Sequence, residues 1–120
     1  MDTDKNKHGL QDAFESSWRV IGKQVHATAK LKGWWDEDCN DGQLIALMHS
    51  ELSEALEALR VDKMDNKLPH RKGVEVELAD CVIRIMDYAE ARGLDIAGAI
   101  VDKMYFNMSR EYRCQVLISV

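Results

Sequence analysis

The stretch Gln43–Val61, QLIALMHSELSEALEALRV, decides the fold class. Its apolar residues Ile45, Met48, Leu52, Ala55 and Leu59 recur at steps of three and four, the period of one helix face. Ala, Leu and Glu dominate the stretch, and all three favour helix. Asp41 stands where a carboxylate can accept the free backbone N–H groups of the helix start. On the C-terminal side, Asp62–Gly73 breaks the pattern with the only proline, Pro69, and with Lys63, Lys67, Arg71 and Lys72, so it reads as a loop. Val74, Leu78, Cys81, Val82, Ile85 and Ala89 then predict a third helix, closed at Gly93. Leu94 to about Tyr112 predicts a fourth, with Ile96, Ile100, Met104 and Met108 on one face.

Upstream, Leu10, Phe14, Trp18, Ile21, Val25 and Ala29 mark a first helix that ends near Gly33. The segment Trp34–Gly42 is acidic and irregular, with Asp36, Glu37, Asp38 and Asp41. Residues 1–9 read as a flexible tail and 115–120 as a short β-prone one, leaving 10–114 as a single all-α domain of about four helices. One proline and seven glycines in 120 residues, with 46% apolar and 31% charged residues, fit a helical globular domain.

Charge and patterning exclude several classes. A net charge of −5, from 16 Lys and Arg against 21 Asp and Glu, argues against a broad electrostatic grip on nucleic acid. The longest uninterrupted apolar runs are only five or six residues, such as Leu44–Met48, so no segment is expected to span a membrane. The polar opening Met1–Gly9 lacks the apolar core of a secretory signal. Cys39, Cys81 and Cys114 are odd in number and far apart, which favours reduced thiols and a cytoplasmic location.

The informative chemistry is the placement of acids. Glu51, Glu54 and Glu57 lie at steps of three on the second helix, and Glu77 and Asp80 at one such step on the third. A step of three turns the helix by about 300°, so the two side chains share a face about 60° apart. Glu51 and Glu54 continue the row of Leu44 and Leu47, beside the main apolar stripe, and Glu77 and Asp80 border the apolar arc of their own helix. In an antiparallel hairpin of the two helices, Glu51, Glu54, Glu77 and Asp80 can converge at one flank. Converging carboxylates repel, which raises their pKa values unless a hard divalent cation with oxygen ligands neutralises them. Iron is disfavoured, because no Glu-x-x-His step accompanies these acids. An acidic pair three apart is also the ordinary pattern of a solvated helix face, and spacing alone leaves both readings open.

At these residues the chain resembles the MazG-like, all-α nucleoside triphosphate pyrophosphohydrolases, which carry a Glu-x-x-Glu step on one helix and a Glu-x-x-Asp step on the next. The matching stretches are HSELSEALEAL (His49–Leu59), ELADCVIRI (Glu77–Ile85) and KMYFNMSR (Lys103–Arg110), in the same order. The resemblance implies that Glu51, Glu54, Glu77 and Asp80 hold Mg²⁺, with Mn²⁺ as a substitute, and that Lys103, Asn107 and Arg110 hold phosphates. It further implies that Trp35 stacks on the nucleobase and that the chain forms a homodimer or homotetramer with sites near subunit contacts. The implied reaction splits a nucleoside triphosphate between its α- and β-phosphates, giving a monophosphate and pyrophosphate as part of nucleotide-pool house-cleaning. Two departures stand out: Ser50 precedes Glu51 where the fuller pattern has paired acids, and Arg84 stands where some base-selective relatives have tyrosine. The second leaves the base open.

The residue types suit that chemistry. Phosphoryl transfer needs positioning and charge neutralisation more than a covalent nucleophile. Glu51 or Glu54 can accept a proton from an attacking water, and the sequence does not choose between them. No GxxxxGK[ST] loop is present, which excludes a P-loop mechanism. Glu57 reads either as a support for the metal ligands or as a solvated acid, and the basic loop Lys63–Lys72 either as a phosphate cover or as exposed surface. His8, His26, His49 and His70 lack metal-ligand spacing, and Cys81 reads as a small core residue. Two rivals from other classes are a non-catalytic helical dimerisation module and a nucleotide sensor that binds without hydrolysis.

Overall fold

The computed structural model describes residues 3–110, with side chains from residue 8 onward. The expected C-terminal tail 115–120 and Cys114 lie outside the described residues. Four helices follow one another: α1 (Thr3–Leu31), α2 (Asp41–Arg60), α3 (Gly73–Arg92) and α4 (Ile96–Met108). Among the described residues the only β-type pairing is one isolated bridge between Met64 and Lys72, inside the α2–α3 loop. The all-α expectation therefore holds.

Helix ends differ from the sequence expectation in places with plain causes. α1 starts at Thr3, inside the segment read as a tail, because apolar periodicity marks only the part of a helix that has something to bury. The cap of α2 is Asn40, whose side chain accepts the Gln43 N–H at 2.8 Å. Asp41 is instead the first helical residue and pairs with Arg92 at 2.8 Å. Asp95 caps α4 by accepting the Gly98 N–H at 2.9 Å, and α4 ends at Met108 rather than near Tyr112. Gly93 closes α3 in the left-handed region, φ 66°, as its position predicts.

α2 and α3 form an antiparallel hairpin. Arg84 of α3 reaches Glu51 of α2, the Cys81 thiol lies 3.6 Å from the Met48 carbonyl, and Arg92 donates to the Cys39 carbonyl at 3.0 Å. The two helices run in opposite senses: Arg92 at the end of α3 meets Asp41 at the start of α2, while Gly73 at the start of α3 lies against Ala58 near the end of α2. Small residues make the close approach possible: a Cβ on Gly73 would lie 3.0 Å from the Lys63 carbonyl oxygen and 3.1 Å from Ala58 Cβ. α1 packs on α3, and α4 packs chiefly on α1.

The buried residues are mostly small: Ala29, Ala55, Ala58, Ala89 and Ala97 with Cys81, Met86 and Val101. Cys81 thus takes its expected core place. The second-helix stripe read from the sequence is only partly internal, since Leu52 and Leu59 are 47% and 61% exposed. The radius of gyration is 17.3 Å, whereas a compact domain of this length has about 13–14 Å. A single chain leaves large apolar surface uncovered.

Candidate functional site

The hairpin brings three of the four expected carboxylates together. Glu51, Glu77 and Asp80 each offer an oxygen, and these oxygens lie within 4.8 Å of one another. All three side chains are half-buried. Glu54 is exposed, one turn along α2, yet its charge acts on Glu77. The cause is the register: Glu51 faces α3 at the level of Arg84, one helical turn beyond Asp80.

The electrostatics follow from that crowding. Glu77 is held above the usual carboxylate range, first by desolvation and then by a hydrogen bond and repulsion from Glu51, with Asp80 and Glu54 adding to it. Asp80 is raised too, again mainly by desolvation and then by Glu51, while the cations of Arg84 and Lys67 pull it back. The donor set is all hard oxygen on two rigid helices, which fits a Mg²⁺-type ion rather than a thiophilic one.

One cation already sits on the cluster. Arg84 Nε donates to Glu51 Oε1 at 2.9 Å, in a pair whose side chains are 32% and 14% exposed. Spacing along the helix points to the acids but not to this counter-ion, which lies 33 residues from Glu51.

Beside the acids lies a second cluster absent from the sequence expectation. Asp87, a buried acid of α3, accepts the Trp35 indole N–H on both oxygens, at 2.9 and 3.0 Å. Its Oδ1 also lies 2.7 Å from His26 Nδ1 of α1. His26 meets the Trp35 ring edge-on, at a centroid distance of 5.6 Å, and the Arg92 guanidinium lies 5.6 Å from the Trp35 ring centre. Gly33, with φ 82°, turns the chain so that Trp35 folds back toward α3. Trp35 and Asp87 line a narrow cleft with Leu44, Leu47, Arg84 and Tyr88. Its volume of about 20 Å³ admits about one water, so a base can enter only if a wall moves.

The residues expected to hold phosphate lie elsewhere in the chain. Lys103 and Arg110 of the C-terminal region flank Phe106, at 4.7 and 5.7 Å from its ring centre. Lys103 and Asn107 border an open apolar groove along α4 with Ile96, Ile100 and Met104. No contact joins any of them to the acids among the described residues, because α4 packs on α1 while the acids lie on the α2–α3 hairpin. Glu57 pairs with Arg60 at 2.8 Å on the exposed face, the arrangement of a solvated acid. Among the basic-loop residues, Lys67 lies close enough to act on Asp80. Asp65 orders that loop by accepting the Lys67 and Leu68 N–H groups at 2.9 and 2.8 Å.

Comparison with protein-family models, with curated proteins and with solved structures finds no match for this chain.

Proposed function

We propose that this protein is a Mg²⁺-dependent nucleoside triphosphate pyrophosphohydrolase of the MazG-like kind, acting in the cytoplasm on the nucleotide pool. The supporting observation is the convergence of Glu51, Glu77 and Asp80, with two of these acids raised in pKa by desolvation and mutual repulsion. Such a cluster carries an electrostatic cost that a divalent cation would remove. Glu51, Glu77 and Asp80 would hold Mg²⁺ or Mn²⁺, with Glu54 one turn away as a further ligand or as the base. Mg²⁺ bound there supplies charge neutralisation for the phosphates and a water of lowered pKa. The chain's own part is to fix the acids on two helices, to place Trp35 by two hydrogen bonds to Asp87, which His26 also meets, and to set Arg84 beside the acids.

Self-association belongs to the proposal. The chain exposes 9410 Å², where a compact monomer of its mass exposes about 6,600 Å². The excess is larger than the ~800 Å² per partner of a standard interface. Exposed Leu56, Leu59, Ile100 and Met104 supply apolar area for a second copy to cover. In a homodimer or homotetramer, Lys103, Asn107 and Arg110 of one copy would serve the acids of another.

The same apolar faces favour a rival, a helical dimerisation module without catalysis. Pyrophosphate release separates them, measured across ribo- and deoxyribonucleoside triphosphates with Mg²⁺ and then with EDTA. The proposal expects metal-dependent release that Glu51→Gln abolishes while helical content survives. Silence across the panel from folded protein with Mg²⁺ refutes it. Triphosphate binding without release would indicate a sensor.

A further inference from the structure

Arg84 belongs to both halves of the site. Its Nε is bonded to Glu51 in the acid cluster, and its side chain forms one wall of the cleft lined by Trp35, Asp87 and Tyr88. Among the described residues, the bond to Glu51 is the only hydrogen bond its guanidinium makes, which leaves the terminal nitrogens with donors to spare. A guanidinium and a divalent cation cannot share one carboxylate oxygen without repulsion, so an ion entering among Glu51, Glu77 and Asp80 weakens the hold on Arg84. The released fork has two adjacent destinations, the cleft or an anion between the cleft and the acids. A planar fork of parallel N–H groups matches two oxygens of a phosphate. With a base at Trp35 and a polyphosphate at the acids, the phosphate nearest the sugar must cross the ground that Arg84 occupies.

We propose that Arg84 is the exchangeable cation of this site: it neutralises Glu51 in the empty protein, is displaced by a divalent cation, and then grips the phosphate next to the nucleoside. Its departure from Glu51 also moves a wall of the cleft that now has room for about one water. This assignment rests on the divalent-cation function proposed above. It adds a phosphate-binding residue from α3 of the same chain, independent of any cation from a second copy.

The test is Mn²⁺ binding without nucleotide, by calorimetry, on the whole chain as wild type, Arg84→Met and Arg84→Lys, with circular dichroism to verify helical content. Arg84→Met removes the competing charge and keeps most of the aliphatic stem, so Mn²⁺ affinity should rise about three- to tenfold. Arg84→Lys retains a charge opposite Glu51 and should stay near wild type. Kinetics then read the other half of the assignment. With Mn²⁺ saturating, Arg84→Met should lose about a hundredfold in kcat/KM for a nucleoside triphosphate, and Arg84→Lys, a point charge without the fork, should recover only part. Unchanged or weaker Mn²⁺ binding by Arg84→Met overturns the assignment, and so does wild-type kcat/KM in that variant. Failure of the underlying function has a different signature: neither wild type nor Arg84→Met binds Mn²⁺ at all.

Discussion

Glu77→Gln should make the metal-free protein more stable and the metal-loaded protein less so. Glu77 lies within 4.8 Å of both Glu51 and Asp80 and is raised in pKa by desolvation and by Glu51. Two unit charges at that spacing repel by about 3.5 kcal/mol at an effective dielectric constant of 20. Solvent at this half-buried site and the Arg84 guanidinium screen most of that, leaving about 1 kcal/mol. Gln also offers an N–H to Glu51 in place of a repelling oxygen. Unfolding entropy for a chain of 120 residues is about 0.25 kcal/mol per degree, so 1 kcal/mol moves the melting temperature by about 4 °C.

The metal arm runs the other way. A cation at a hundred times its dissociation constant adds about 2.7 kcal/mol, or about 11 °C, to a protein that binds it only when folded. Glu77→Gln removes a charged ligand and should lose most of that shift. Differential scanning fluorimetry of both proteins at one concentration, with EDTA and with Mn²⁺, gives four melting temperatures, and the two proteins should exchange order. A lower melting temperature for the variant in EDTA would refute the repulsion argument. An equal Mn²⁺ shift in both proteins would refute Glu77 as a ligand.

Glu77 and Asp80 are both raised in the folded state, which therefore holds more protons than the unfolded chain between the ordinary carboxylate range and the raised values. Metal-free stability should fall as pH rises through that window, and Mn²⁺ affinity should fall as pH drops through it; calorimetry and melting from neutral pH downward check both slopes. Asp87→Ala removes the acceptor of two Trp35 bonds and the His26 contact, and should cost about 3 kcal/mol in urea unfolding, with Asp87→Asn milder. A loss below about 1 kcal/mol would mean that the cluster adds little. Sedimentation should find a dimer or tetramer, and mixing inactive Lys103→Ala with inactive Glu51→Gln should restore part of the pyrophosphate release if one copy serves another's acids.

The helices were legible because helix period and acid spacing are both local properties. Steps of three put Glu77 and Asp80 on one face whatever the rest of the chain does. Caps were less so, since Asn40 and Asp41 are adjacent residues of equal capping ability and only backbone geometry chooses between them. Pairings across helices carry no local signal. Arg84 and Glu51 are 33 residues apart, and Asp87 meets Trp35 and His26 across 52 and 61. Arg84 lies between Ile83 and Ile85 in sequence, but helix neighbours face different ways, so nothing local names Glu51 as its partner.

The second-helix stripe exposes a deeper limit, and it bears on the site. Periodicity identifies the apolar face of a helix but not the molecule that covers it. Ala55 and Ala58 are covered within the chain, while Leu52, Leu56 and Leu59 of the same helix remain exposed. The same ambiguity applies to Lys103 and Asn107, which stand exposed on α4, a helix that packs chiefly on α1 rather than on the acid-bearing hairpin. If the exposed stripes meet in a second copy, both misplacements have one cause: residues that complete the core and residues that complete the site wait for the same partner. Removing self-association by Leu56→Glu and Leu59→Glu should then cost activity while Mn²⁺ binding to Glu51, Glu77 and Asp80 persists. A monomer that still releases pyrophosphate would place all the needed cations, Arg84 among them, within one chain.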